Sequence, residues 1–141
     1  MLTEKVLYRA QVKATAGRDT RALSSDGVLD LKVRRPRELG GANGPGITSE
    51  QLFAASYAVS FLEVMRLVAG REIVTLPRNT EVEASVGVGP TSRGFGIEVE
   101  LRICLPGLRR AEADLLVEKS HALCPYSNAL RGNVSVRLVF A

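Results

Sequence analysis

The chain opens on a period of two. Val6, Tyr8, Ala10, Val12 and Ala14 fall on one face and Arg9, Gln11 and Lys13 on the other, the pattern of a half-buried strand. RALSS and VLDLKV continue it across SSDG, a turn in which Gly27 can take positive φ. An antiparallel β-meander is predicted for this region. It gives way to RPRELGGANGPGIT, a glycine- and proline-rich loop of the length that commonly carries function or wraps a neighbour. The period then changes. SEQLFAASYAVSFLEVMRLVAG, residues 49–70, reads as one long helix that is apolar almost all the way round. Thr48 and Gln51 are spaced as a capping box at its start, and Gly70 is placed to end it. EVEASVGVGP and GFGIEVELRICLPG are the next strands. In the second, Phe95, Ile97, Val99, Leu101 and Ile103 point inward and Glu98, Glu100 and Arg102 outward, which leaves Cys104 on the polar face or at the strand end. RRAEADLLVEKSHAL has the helical period, with Ala111, Leu115, Ala122 and Leu123 along one side. Cys124 and Pro125 break it before a short turn, and NVSVRLVFA closes as a last strand.

Strands, helix, strands, helix, strand is the order of an α+β fold, expected here as a single domain over residues 1–141 without internal repeats. A helix as apolar as 49–70 needs cover on more sides than one small sheet supplies. A homodimer in which two chains share a core is therefore expected.

A chain of 141 residues can bury a real core. MLTEKVLYRA lacks an apolar run of signal-peptide length and no segment is uninterruptedly apolar over a membrane span, so a cytoplasmic protein without a membrane partner is expected. Two cysteines, Cys104 and Cys124, are too few for a secreted disulfide framework and fit free thiols in a reducing compartment. The net charge of +4 changes this little. Basic residues are dispersed, KVRRPRE is broken by proline and glutamate, and aromatics are scarce, so a solvated arginine-rich surface is preferred to nucleic-acid binding.

Ser60 and Glu63 interrupt the apolar helix, and an unpartnered polar group buried there would cost on the order of a few kcal/mol. Ser60 as a hydrolase nucleophile with His121 as base is a poor fit, because AVSFL lacks the small residues that flank a strained nucleophile turn. His121, the only histidine, suits a dipole contact or surface hydrogen bond at a helix end. With Cys124 it makes a weak metal signal, two ligands without a second pair. Gly41 and Gly46 have P-loop spacing ahead of a helix, and Thr48 supplies the hydroxyl that motif needs, but Ile47 stands in place of its lysine, so the charge that would hold the phosphates is missing and nucleotide binding is rejected. The helix start still suits a small anion.

Three segments together, TAGRDTRALSSDGVLDLKV, PRELGGANGPGITSEQLFAASYAVSF and HALCPYSNALRGNVSVRLVF, closely resemble the organic hydroperoxide resistance (Ohr) proteins of the OsmC/Ohr family. The resemblance spans nearly the whole chain. It implies an intertwined homodimer with antiparallel sheets wrapped around two central helices, and an antioxidant role in the oxidative stress response. It also implies thiol-dependent reduction of organic hydroperoxides, without metal or bound cofactor. A peroxidatic cysteine on the central helix would be oxidised and a second cysteine would resolve it into a disulfide. Dihydrolipoamide on lipoylated proteins, or another dithiol, would then reduce that bond. By position, Arg18 is implied as the thiolate-stabilising arginine, Glu50 as the carboxylate that orients it, and Cys124 as the resolving cysteine. Ser60 stands where the peroxidatic cysteine belongs. A serine hydroxyl is far harder to ionise than a thiol and has no reversible oxidation ladder, so catalysis is expected to be lost or crippled. The alternative is a non-catalytic binder or sensor of a small apolar or oxidised-lipid ligand. Val59 and Glu63 beside it favour a natural paralogue over an engineered cysteine-to-serine exchange. Glu63, about 60° round the helix from position 60, is read as a surface partner of Arg66, with competition for Arg18 as the sharper alternative.

Overall fold

A computed structural model of the chain describes residues 3–141. It divides into two compact units, one reaching Leu52 and one spanning Phe53–Ala141.

In the first unit, β1 (Val12–Thr15), β2 (Arg21–Ser24) and β3 (Asp30–Lys32) form the expected antiparallel meander. The register runs Val12↔Ser24 to Thr15↔Arg21 and Arg21↔Lys32 to Leu23↔Asp30. SSDG turns as predicted: Gly27 has φ 75°, Ser24 Oγ donates to Asp26 Oδ1, and the Val28 amide donates to the same oxygen. The first strand is shorter than its alternation suggests. Val6 and Tyr8 are exposed and belong to no strand, because β2 offers partners only as far as Val12 and alternation alone forms no ladder. A 3₁₀ turn at Arg37–Leu39 ends on Gly40 in the left-handed region. The chain then returns so that Val33 and Ile47 form a parallel bridge.

α1 (Ser49–Arg71) begins on the predicted capping box. The Thr48 amide donates to Gln51 Oε1 at 2.8 Å and the Gln51 amide donates to Thr48 Oγ1 at 3.1 Å, satisfying two orphan donors. Its end departs from expectation. Gly70 is still helical, and the left-handed position falls on Ile73, φ 55°, where the Val74 amide reaches back to the Ala69 carbonyl at 2.9 Å. That bond has the span of a Schellman closure, which ordinarily recruits glycine. By length and composition alone α1 would also suit a membrane span, despite Glu63 and Arg66.

In the second unit, β4 (Glu81–Thr91) and β5 (Gly94–Cys104) form a long antiparallel hairpin, and β6 (Val136–Phe140) lies parallel to β5. This sheet is mixed, where uniformly antiparallel sheets were expected. β6 is reached through α2 (Arg110–Leu123) and α3 (Pro125–Leu130), and a helical crossover of this kind delivers a parallel strand. Val99, Leu101 and Ile103 are buried as predicted, whereas Phe95 at the hairpin turn is exposed. α2 buries Ala113, Leu116, Val117 and Ser120 in place of the predicted Ala111, Leu115, Ala122 and Leu123. The segment after Pro125 is a short helix where a turn was expected. The core joins Leu101 and Ile103 to Leu116 and Val117 and to an α1 stripe of Tyr57, Phe61, Met65, Val68 and Ala69. The stripe's spacing of four, four, three and one is a single helical face. Other apolar positions of α1, Val59 and Leu67 among them, remain exposed.

Candidate functional site

Cys124 is the hinge of the site. It caps the C-terminus of α2 and the N-terminus of α3 at once, with extended φ/ψ of −66°/126°. Its amide donates to the Ser120 carbonyl at 2.8 Å and its carbonyl accepts from the Asn128 amide at 2.9 Å. Pro125 fills the first helical position of α3, where a missing N–H costs nothing. The CPYSN sequence thus fixes the cysteine backbone from both sides, and its side chain is fully buried. Ser60, half-buried on α1, places Oγ 3.9 Å from Cys124 Sγ. The two positions singled out in the sequence as a reacting pair are brought together across 64 residues.

A second polar thread runs beside them. Tyr57 OH lies 2.6 Å from Ser127 Oγ, and Ser127 Oγ lies 2.8 Å from His121 Nδ1. Tyr57 and Ser127 are fully buried. Burial raises the tyrosine's proton affinity against the lowering effect of the Ser127 bond, with a further push up from Cys124. Burial first, and the positive charge of Arg131 second, lower the pKa of His121. Arg131 Nη2 donates to the His121 carbonyl at 2.9 Å and ties the end of α2 to α3. His121 is therefore neither a base for Ser60 nor a simple surface contact. Half-buried itself, it closes a chain of three side chains and, with Ser127 and Arg131, lines a cleft of about 370 Å³. The signal for this network was present in Tyr57, a phenol inside an apolar helix that must find a partner when buried.

Phe53, Tyr57 and Tyr126 form an aromatic cluster over this end of α1, with centroids 5.9–6.4 Å apart. Such edge and tilted pairs add about 0.5–1.5 kcal/mol each beyond their buried area.

Of the remaining predicted residues, Arg18 and Glu50 belong to the first unit and Glu63 to the second. Arg18 sits exposed in the bend between β1 and β2, after Gly17 at φ 44°. Among the described residues it makes no ion pair with Glu50, so the pairing implied by resemblance is not made within this unit. Glu50, in the first turn of α1, accepts from Ser49 Oγ at 3.0 Å through Oε2, while Oε1 is buried without a partner. A buried carboxylate oxygen without a partner is costly. Glu63 is exposed and lies 3.4 Å from Arg66 Nε, one turn on, as the surface reading expected. Cys104 is half-buried at the end of β5.

Comparison with known proteins identifies the family. The family model described as OsmC-like protein covers residues 40–139. An organic hydroperoxide resistance protein of Xanthomonas axonopodis pv. citri is 54% identical over 138 residues, covering 98% of this chain and 97% of its own. Among solved structures, an organic hydroperoxide resistance protein from Elizabethkingia anophelis, with crystallant-derived thiocyanate bound, superimposes with a TM-score of 0.91 at 43% identity, covering 97% of this chain and 98% of its own. The organic hydroperoxide resistance protein OsmC from Legionella pneumophila gives a TM-score of 0.90 at 41% identity, covering 97% and 99%. With α+β architecture, motif order and sequence in agreement over nearly its whole length, the chain belongs to the OsmC/Ohr family.

Proposed function

We propose that this chain is an Ohr-type protein that retains the family's pocket for small organic hydroperoxides or related apolar ligands, and that oxygen in place of sulfur at position 60 removes or cripples its peroxidase turnover. The observation that carries this reading is the 3.9 Å approach of Ser60 Oγ to the buried Cys124 Sγ. In a two-cysteine peroxidase the first thiolate takes one peroxide oxygen and releases an alcohol. The second thiol then condenses with the resulting sulfenic acid, expelling water and forming a disulfide. A disulfide needs sulfurs about 2.05 Å apart, so a cysteine at position 60 would stand a small rotamer change from Cys124. Serine there can neither become a nucleophilic anion near neutral pH nor pass through a sulfenic state.

The working form in this reading is a cytoplasmic homodimer. The exposed apolar positions Val59 and Leu67 on α1 support a second chain as their cover. Glu50, with one buried oxygen unpartnered, supports a cation joining it on assembly, the role the family assigns to Arg18. Lipoylated proteins or other dithiols are the reductants a restored enzyme would use.

The test is Ser60→Cys assayed with tert-butyl or cumene hydroperoxide and dihydrolipoamide. Catalytic turnover in the variant and none in the Ser60 chain is expected. Turnover by the Ser60 chain itself refutes the reading. A folded, dimeric and inert Ser60→Cys protein would show that the pocket has diverged beyond its nucleophile. That outcome favours the second reading, a non-catalytic binder of an apolar or oxidised-lipid ligand. The Phe53, Tyr57 and Tyr126 cluster, with Tyr126 37% exposed, supports this second reading. Native mass spectrometry of the purified chain tests it, and a consistently empty pocket counts against it.

A further inference from the structure

We propose that the first unit carries an oxyanion site in the cleft between the end of β3 and the Gly40–Pro45 loop, built to take a carboxylate or phosphate group. The cleft measures about 470 Å³ and is lined by Arg18, Lys32, Arg34 and Arg35 with a single carboxylate, Asp19. Lys32 Nζ lies 3.4 Å from Asp19 Oδ1, which uses that carboxylate. Among the described residues, Arg34 and Arg35 have no acidic partner. Arg34 and Arg35 line this cleft without a counter-charge, and an anion bound there would offset the repulsion between like charges.

The cleft is built on fixed backbone. The Ile47 amide donates to the Lys32 carbonyl at 3.0 Å and the Arg34 amide to the Ile47 carbonyl at 2.8 Å, which anchors the far end of the loop beside Val33. At its near end the Gly41 amide donates to the Pro36 carbonyl at 3.0 Å, and a Cβ on Gly41 would lie 1.9 Å from the Arg35 carbonyl oxygen. The loop therefore packs directly on the main chain that carries Arg34 and Arg35. Arg34 is also held by its side chain, because Nε donates to the Gly46 carbonyl at 3.0 Å. That bond fixes the guanidinium plane and leaves both terminal nitrogens as a fork, the geometry that matches two oxygens of one oxyanion. Glycine, asparagine and proline make the loop wall, so the cleft suits a compact charged head and offers little to an apolar tail. This inference does not depend on peroxide chemistry or on the residue at position 60.

The experiment is an amide NMR titration of the whole chain, at constant ionic strength, with sodium phosphate in one arm and sodium acetate in the other. Saturable shifts at Gly40, Gly41 and Gly44 are expected in at least one arm, and the arm that saturates identifies the source of the oxyanion. Arg34→Gln combined with Arg35→Gln is expected to weaken binding at least about tenfold, and Arg34→Lys, which keeps charge but loses the fork, about threefold or more. Arg35 is exposed, so Arg35→Gln alone supplies the readout if the double variant folds poorly. Shifts that stay linear in both arms, or saturation unchanged by these substitutions, overturn the proposal.

Discussion

Removing the hydroxyl of Ser127 is expected to destabilise the protein more than removing that of Tyr57, although both delete the same 2.6 Å hydrogen bond. In Tyr57→Phe, Ser127 keeps His121 Nδ1 at 2.8 Å, so little more than one net hydrogen bond is lost, about 1 kcal/mol. Ser127→Ala removes the centre of the chain. It strands a phenol on a residue with 0% exposure and frees the ring nitrogen of His121 at the same time. The unpaired buried phenol costs about 1–3 kcal/mol and the lost bond to His121 about 1 kcal/mol more, which places Ser127→Ala at about 2–4 kcal/mol. Once Tyr57 is phenylalanine the phenol penalty disappears, so the double variant should cost about 1–3 kcal/mol less than the sum of the singles. Urea unfolding of the four proteins at one fixed protein concentration measures all three quantities, the fixed concentration being required if subunits associate. Equal costs for the two single variants, or strict additivity, would refute the view that these side chains act as one buried network. The same network sets a pH dependence. Burial and Arg131 lower the pKa of His121 from its ordinary 6.5, so below about 6.5 the unfolded chain takes up a proton that the folded one resists. The contribution of neutral His121 is thus fully present above about 6.5 and is lost as pH falls from there toward the lower folded-state value. His121→Asn should flatten that part of the stability profile.

Ile73→Gly should stabilise the chain by about 1 kcal/mol, since the residue holds φ 55° with 94% exposure and gives up almost no burial; a lower midpoint in thermal unfolding would contradict this. Gly41→Ala should destabilise strongly or displace the loop, because the new Cβ meets the Arg35 carbonyl oxygen at 1.9 Å, and loss of amide dispersion around residues 35–46 would report it. Thr48→Ala removes the hydroxyl that accepts the Gln51 amide and should cost about 1 kcal/mol in denaturant unfolding, whereas Thr48→Ser should cost little.

What the sequence made legible was local. Thr48 and Gln51 announced the start of α1 because both partners of the capping box lie within four residues. The turn at Gly27 and the β4–β5 hairpin were equally readable, since their hydrogen bonds join near neighbours. The buried face of α2 was not, because apolar residues occupy two faces of that helix. Ala113, Leu116 and Val117 differ from Ala111, Leu115 and Leu123 only in which side the sheet approaches. The parallel sense of β6 likewise depends on the path of α2 and α3 and leaves no trace in the alternation of the strand. At the site, Ser60 stood out as a polar break in an apolar helix, and its pairing with Cys124 came from motif resemblance. The Tyr57 to Ser127 contact spans 70 residues and could be foreseen only as a demand for some partner. Ile73 shows the limit in the other direction. Glycine at position 70 looked like the helix stop, yet the left-handed conformation fell three residues later on a β-branched side chain.

Under the proposed function, a thiol in place of the Ser60 hydroxyl would separate stability from chemistry. Ser60 is half-buried, its nearest polar contact is the weak 3.9 Å approach to Cys124, and the side-chain volumes of serine and cysteine are close. The fold therefore tolerates either residue at a cost well below the several kcal/mol at stake in a core deletion. Cys124 itself is held by two backbone hydrogen bonds and by the proline that follows it, none of which involves the atom at position 60. Nothing in the packing of the second unit thus requires a thiol on α1. What a thiol there would add is reactivity alone: an ionisable, reversibly oxidisable atom facing a buried partner already in place. In that reading, Ser60→Cys should change turnover by orders of magnitude while moving stability by less than about 1 kcal/mol. A large change in unfolding free energy in Ser60→Cys, before any oxidation, would show that position 60 is coupled to the core and that this separation is wrong.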